Sequence, residues 1–466
     1  MLKNLIGCYR KKRMKTDNSI VFAMIGIVVS MILLPITTMY GPNQSLPVWI
    51  GLFIYIIWMV IKGKPGYSAI LIAIAMCQPN VTSEEVDFSL GLSYSRYYYY
   101  NLFVIPVIVL FLNLLKKNRI PLKAPIYLSF FFFVLGLMYN LSLTNVLYAI
   151  VASFVAFLIG YFDRLDFTRY FILFSIILVI TTIYAALEFH FRICPYNDFY
   201  TTSQGYVAAL LKRAQGLLGN PLILLSFATF YLALLSAYAV EYNRIVILPL
   251  LMCIYLCLIV VSRTAVISLL VFFLLYNFYS KSSLKLKIPL LFAVGIACYA
   301  AYIFLTDTVG DLFYRLQNSD LMHRQSGFSI VSSILHDNFW GLGFVDYSSS
   351  LRRYATSGFN PDVDTLDNFF LTQIAHYGYL GIIVLLFYLY YFWAYFKSRR
   401  MKKHSKEVLF LFVAFAITGF CFDFLAFNNV SLFAYIMVGS AFGRCYNRSL
   451  SITTTEKVEC NKYGIG

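Results

Sequence analysis

Long apolar runs, repeated along almost the whole chain, constrain the fold more than any other feature of the sequence. A bilayer core about 30 Å thick takes about 20 apolar residues per crossing. Lipid offers no partner to a bare peptide group, so each crossing closes its hydrogen bonds within itself as a helix. By that ruler the sequence holds about fourteen candidate spans. They run approximately over residues 20–40, 47–62, 67–78, 101–115, 125–141, 145–162, 169–189, 219–240, 245–261, 264–280, 288–306, 367–395, 408–425 and 429–444. The expected fold is all-α: a polytopic membrane protein with about 12–14 transmembrane helices, one helical domain over residues 1–466, and a large partly helical outer loop. Charged residues make up 12% of the chain, against about 25% in soluble domains, and 60% of it is apolar. A soluble fold and a disordered chain are both excluded on that ground.

Charge sets the expected orientation. The first run is too long for a signal-peptide core and is followed by no small-residue cleavage site, so it reads as an anchor. Its flank, Arg10-Lys11-Lys12-Arg13, places the N-terminus in the cytoplasm. Threading the spans from there leaves Arg96, Arg192, Lys212, Arg213, Arg263, Arg315, Arg324, Arg352 and Arg353 on the outer side, with the remaining Lys and Arg inside. The net charge of +16 is therefore read as topology and not as a nucleic-acid surface. Residues 190–218 and 307–366 become outer loops long enough to build a site, and residues 445–466 a cytoplasmic tail. Cys77, Cys253, Cys257, Cys298 and Cys421 lie within apolar runs, as core residues and not as a disulfide framework. No internal repeat marks an inverted-repeat transporter.

All the outer cations but Lys212 are Arg, the side chain suited to bidentate contact with phosphate. The plainer alternative pairs them with loop acids such as Asp307, Asp311 and Asp320. Arg263 sits between two apolar runs, where a charge deep in the bilayer costs about 3 kcal/mol and calls for a partner or a ligand; as an alternative it anchors a turn. Arg213 opens Arg213-Ala214-Gln215-Gly216, with Asn220 as cap and Pro221 as first turn of the next helix. A helix start of that kind favours an anion. His323 and Arg324 precede an amphipathic stretch from Phe328 to Leu335, expected along the membrane surface, which ends at Trp340 and Gly341-Leu342-Gly343. Asp367 and Asn368 open the twelfth span, where Asp367 is either a site residue or a helix cap favoured by the macrodipole. His376, farther along, is either a hydrogen-bonded core residue or a base. Asp362 and Asp364 are a weak metal-type pair, more simply solvated. Glu188 and Asp423 are carboxylates at span ends. Walker, zinc-type and dinucleotide motifs are absent, so no cofactor or metal is expected.

Taken in order, Arg213-Ala214-Gln215-Gly216 with Asn220-Pro221, Ser262-Arg263, Arg324 before Trp340 to Phe344, and Asn368 followed by Gly378 and Gly381 resemble the O-antigen polymerase and O-antigen ligase superfamily. These are bacterial membrane glycosyltransferases, and the resemblance spans about residues 205–385. It implies an enzyme of the inner membrane acting on a polyprenyl-diphosphate-linked oligosaccharide within membrane lipid, in O-antigen or capsule synthesis. A chain-length regulator and a flippase are implied as partners, and no nucleic acid. Arg213, Arg263 and Arg324 would hold the diphosphate, and Asp367 or His376 would orient or deprotonate the attacking hydroxyl. Gln215, Gly216, Asn220, His323, Trp340 and Asn368 would contact substrate. Ligases of this superfamily commonly carry His immediately before the Asn position; Asp367 stands there in this chain, which favours a polymerase over a ligase. A flippase or transporter for a lipid-linked glycan is the alternative from another class. It needs charge at mid-membrane depth, and the first seven candidate spans hold almost none.

Overall fold

The structure is a computed structural model. It describes residues 19–39, 42–77, 155–163, 165–191, 214, 216–218, 221–260, 262–280, 321–342, 366, 368–382, 405–421 and 430–444, with isolated positions at 110, 112, 114, 351, 353 and 354. The candidate spans at 125–141 and 288–306, nearly all of 101–115, the Arg10 to Arg13 flank, the tail 445–466 and most of both long loops lie outside these residues. So do the acidic pair Asp362 and Asp364, and the loop acids.

Every element among the described residues is helical. In chain order they are α1 (Ser19–Met39), α2 (Pro42–Ile61), α3 (Tyr67–Met76), α4 (Ala156–Phe162), α5 (Phe167–Phe191), α6 (Pro221–Tyr242), α7 (Ile247–Ile259), α8 (Arg263–Tyr279), α9 (Leu321–Asp337), α10 (Phe369–Tyr377), α11 (Ser405–Cys421) and α12 (Val430–Arg444). Three of them, α1, α5 and α6, are long and apolar enough to cross a membrane, as an α-helical membrane protein requires. Several shorter apolar helices accompany them.

Helix α6 is the hub. Its sequence, PLILLSFATFYLALLSAYAVEY, is apolar on every side, and residues from Pro221 to Val240 are buried almost without interruption. A helix with no polar stripe is stable only when surrounded. Here α5, α7, α8 and α11 surround it. Helix α3 is likewise buried along its whole length, against α1, α2 and α5.

Specific contacts set the direction of each helix. Phe433 of α12 meets Phe227 and Phe230 near the start of α6, and Arg444 at the other end of α12 lies over Tyr170 and Phe167 at the start of α5. Phe167 in turn stacks on Tyr242, the last residue of α6. Thr229 of α6 shares a 3.0 Å hydrogen bond with Ser268 of α8, so α6 and α8 run parallel. Tyr279 at the end of α8 meets Phe410 near the start of α11. One end of the bundle therefore gathers Phe167, Tyr242, Tyr279, Glu407 and Arg444. The other gathers the last turns of α5, α7 and α11 and the first turns of α6, α8 and α12.

The Arg444 end holds charge that the sequence reading did not single out. The Arg444 guanidinium forms a bidentate pair with Glu407, with Nε donating to Oε2 at 3.2 Å, and the two residues are only 7% and 1% exposed. Nearby, the Asp163 carboxylate accepts from Gly66 N at 2.8 Å, Ser68 N at 3.1 Å and the Ser68 hydroxyl at 2.5 Å, capping the start of α3. Burial pushes the Asp163 carboxyl up, against these hydrogen bonds and Arg444, which hold it down. The signal was present in the sequence: an acid opening one apolar run and an Arg closing the next.

Glycine brings α4 and α12 into backbone contact. A Cβ on Gly439 would overlap the Phe157 carbonyl, one on Gly443 the Tyr161 carbonyl, and one on Gly160 the Ile436 carbonyl. Small residues four apart are a standard way for apolar helices to approach closely. Gly439→Ala should force the helices apart and destabilise the protein by about 1 to 3 kcal/mol. The effect would be read as a lower Tm in detergent. Gly51→Ala, where nothing lies within 4 Å, should melt like the wild type.

Candidate functional site

The segment before α6 is held between two other helices. Ala214 N donates to the Ile259 carbonyl at the end of α7 at 3.0 Å. Two residues later Gly216, in the left-handed region at φ +61°, donates its N–H to Glu188 Oε2 at 2.5 Å, from the last turn of α5. Ala214 and Leu217 are fully buried, and Gly216 lies against Ala185 and Leu224. A short 3-10 turn, Gly216–Leu218, then leads to α6. The Gly216 N–H, ahead of the 3-10 turn and not at the start of α6, is taken up by a carboxyl group of the chain itself. Sequence reading noted Glu188 only as a span-end acid.

Arg263 is the first residue of α8, with Ser262 at its cap position, so Ala214 and the start of α8 come to the same end of the bundle by way of Ile259. That end also receives the start of α10. Asn368 caps α10, its side-chain oxygen accepting from Phe370 N at 2.9 Å and Leu371 N at 3.1 Å. Its amide nitrogen donates to the Phe420 carbonyl near the end of α11 at 3.4 Å. Phe369 and Phe370 pack on Phe415 and Phe420 of the same helix. Arg213, Gln215, Asn220 and Asp367 themselves lie outside the described residues, as do the side chains of Arg263, His323 and Arg324.

The stretch expected along the membrane surface is helical over Leu321–Asp337, with His323 and Arg324 in its first turn. Ile330, Val331 and Ile334 face α10 in a small core with Leu366, Leu371 and Ala375. Phe328, grouped with that face from the sequence, is 61% exposed, because its neighbour Gly327 is the residue that meets Leu366 and Leu371. Trp340 is 45% exposed and stands edge-on to Phe339, which leans on Tyr379.

The twelfth span, read from the sequence as one run over 367–395, has a break. Gly378 ends α10 at φ +60°, and a Cβ there would overlap the Phe339 carbonyl; one on Gly341 would crowd Gly378 N. Leu342 N donates to Ala375 O at 2.8 Å and Tyr379 N to Phe339 O at 3.1 Å, so the groups freed by the break are paired across the joint. Arg324's helix, Trp340, Asn368 and His376 thus belong to one packed unit. His376 is 6% exposed and lies seven residues into α10, about 10 Å from its start.

Among the described residues no three His, Cys, Asp or Glu side chains are grouped as metal ligands. No family model, curated protein or solved structure matches the chain.

The cap is open to a direct check. Asn368→Ala should cost about 1 kcal/mol, seen as a lower Tm, whereas Asn368→Asp keeps an acceptor for both N–H groups but loses the donor to the Phe420 carbonyl, and should melt between Ala and wild type.

Proposed function

We propose that this protein is a polysaccharide polymerase of the membrane, joining polyprenyl-diphosphate-linked oligosaccharide repeat units at the outer face of the bacterial cytoplasmic membrane. What supports the reading is that Ala214, next in sequence to Arg213, the Arg263 start of α8 and the Asn368 cap of α10 lie at one end of the bundle. Such an end, at the head-group plane, is where a lipid-linked diphosphate presents itself, and guanidinium groups are suited to grip it.

The chemistry asks little else of the protein. A hydroxyl of the acceptor sugar attacks the anomeric carbon of the donor. A new glycosidic C–O bond forms, the bond from that carbon to the diphosphate breaks, and the polyprenyl diphosphate leaves with the electron pair. Positive groups set in advance against the departing charge supply the largest share of such catalysis. Arg213, Arg263 and Arg324 fill that role. Asp367, one residue before the Asn368 cap, accepts the hydroxyl proton; His376 is buried well along the helix and serves packing. The leaving group is already activated, so neither nucleotide nor metal is required. Exposed Trp340 offers a face on which a sugar ring can stack.

Purified protein in nanodiscs, given a polyprenyl-diphosphate-linked repeat unit and no nucleotide, should lengthen it. Arg213→Ala and Arg263→Ala should each lower kcat by 100-fold or more, in line with roughly 10²–10³ for loss of one electrostatic stabiliser, without loss of protein. Wild-type activity in both variants would remove the proposed site. Transfer to a lipid A core acceptor without lengthening would make the protein a ligase, and movement of intact substrate between leaflets without new linkages would make it a flippase.

A further inference from the structure

We infer that Glu188 is a positioning residue: by accepting the Gly216 N–H it ties the turn Gly216–Leu218, three residues after Arg213 in sequence, to the last turn of α5. The inference rests on the reading of that loop as the diphosphate grip, and its core is geometric.

Two backbone donors, one on each side of Gln215, are tied to different helices: Ala214 N to Ile259 O, and Gly216 N to Glu188 Oε2. Each tie fixes the backbone at the residue that makes it, Ala214 on α7 and Gly216 on α5. Arg213 is bonded directly to the first tie. Helix α5 offers a firm base for the second, since His190 stacks on Tyr255 of α7 and Ala185, one turn before Glu188, packs against Gly216. Gly216 itself answers to this arrangement, for its left-handed φ turns its N–H away from ordinary helical pairing.

An ionised acceptor makes the stronger bond to a backbone N–H than a neutral one. A carboxylate placed beside a diphosphate site would otherwise repel the substrate. Directed to the loop's own backbone, its charge serves to hold the cationic segment in place. Glu188 therefore acts through the loop and not on the reacting atoms.

The test compares wild type, Glu188→Gln and Glu188→Ala in nanodiscs, with two readouts: amide hydrogen exchange over residues 212–220, and kinetics of repeat-unit lengthening across pH. Gln keeps an acceptor oxygen but loses the charge that strengthens the bond, so its exchange rate and kcat should fall between those of wild type and Ala, and the pH profile should keep its shape. Ala should speed exchange of the loop roughly tenfold or more, the factor a charge-assisted hydrogen bond commands, and lower kcat by a similar factor. Where Ala prevents accumulation of protein, Glu188→Asp, one methylene shorter, should give faster exchange than Gln.

Exchange in Ala or Asp equal to wild type overturns the inference. So does a Gln variant with a quiet loop that is inactive and has lost one limb of its pH profile, since the carboxylate then acts chemically. The exchange arm stands apart from the polymerase reading: wild type that lengthens nothing, yet shows this exchange pattern, removes the activity and keeps Glu188 in its place.

Discussion

In an apolar medium no peptide group can be left unpaired, and the architecture follows from that requirement. Helix α6 meets it by burying an unbroken apolar cylinder among its neighbours. Polar chemistry is then displaced to the two ends of the bundle, where chain reversals free N–H and carbonyl groups that must find new partners. The ends differ in how they supply them. At one, Glu407 and Arg444 form a buried pair, and the buried Asp163 caps the start of α3. At the other, backbone groups of short connecting segments are taken up by a carboxylate, an amide and a neighbouring helix end.

The same requirement explains why the helix beginning at Asn368 can stop at Gly378. A break in a membrane segment is tolerated where protein shelters it. The turn after α9 provides that shelter, pairing Leu342 N with Ala375 O and Tyr379 N with Phe339 O. Glycines at 341 and 378 allow the two backbones to come that close. The amphipathic helix is in this way docked on α10, and Phe339 and Trp340 at its tip remain exposed.

Much of the helical content was legible in the sequence because hydropathy reports a solvent requirement directly. The runs at 20–40, 169–189, 219–240 and 245–261 appear as α1, α5, α6 and α7 with ends shifted by a few residues. Asn368 could be read as a cap from its place before an apolar run. The break at Gly378 could not, since it depends on a tertiary partner more than thirty residues upstream. The Glu407 pairing with Arg444 and the Glu188 bond to Gly216 were hidden for a related reason: each looks like an ordinary charge at a span end until helix direction brings its partner alongside. The bond from Ala214 N to the Ile259 carbonyl, which joins the turn before α6 to the end of α7, is likewise one that no sequence pattern announces.

The buried pair at the foot of α11 and α12 bears on how this chain enters a membrane. An isolated guanidinium or carboxylate in lipid is costly to insert, by several kcal/mol in the least favourable placement, whereas Glu407 and Arg444 neutralise each other across two successive helices. Burial of α11 and α12 is thereby linked: packed together they present a nearly uncharged unit, whereas either helix alone would carry a bare charge into the apolar interior.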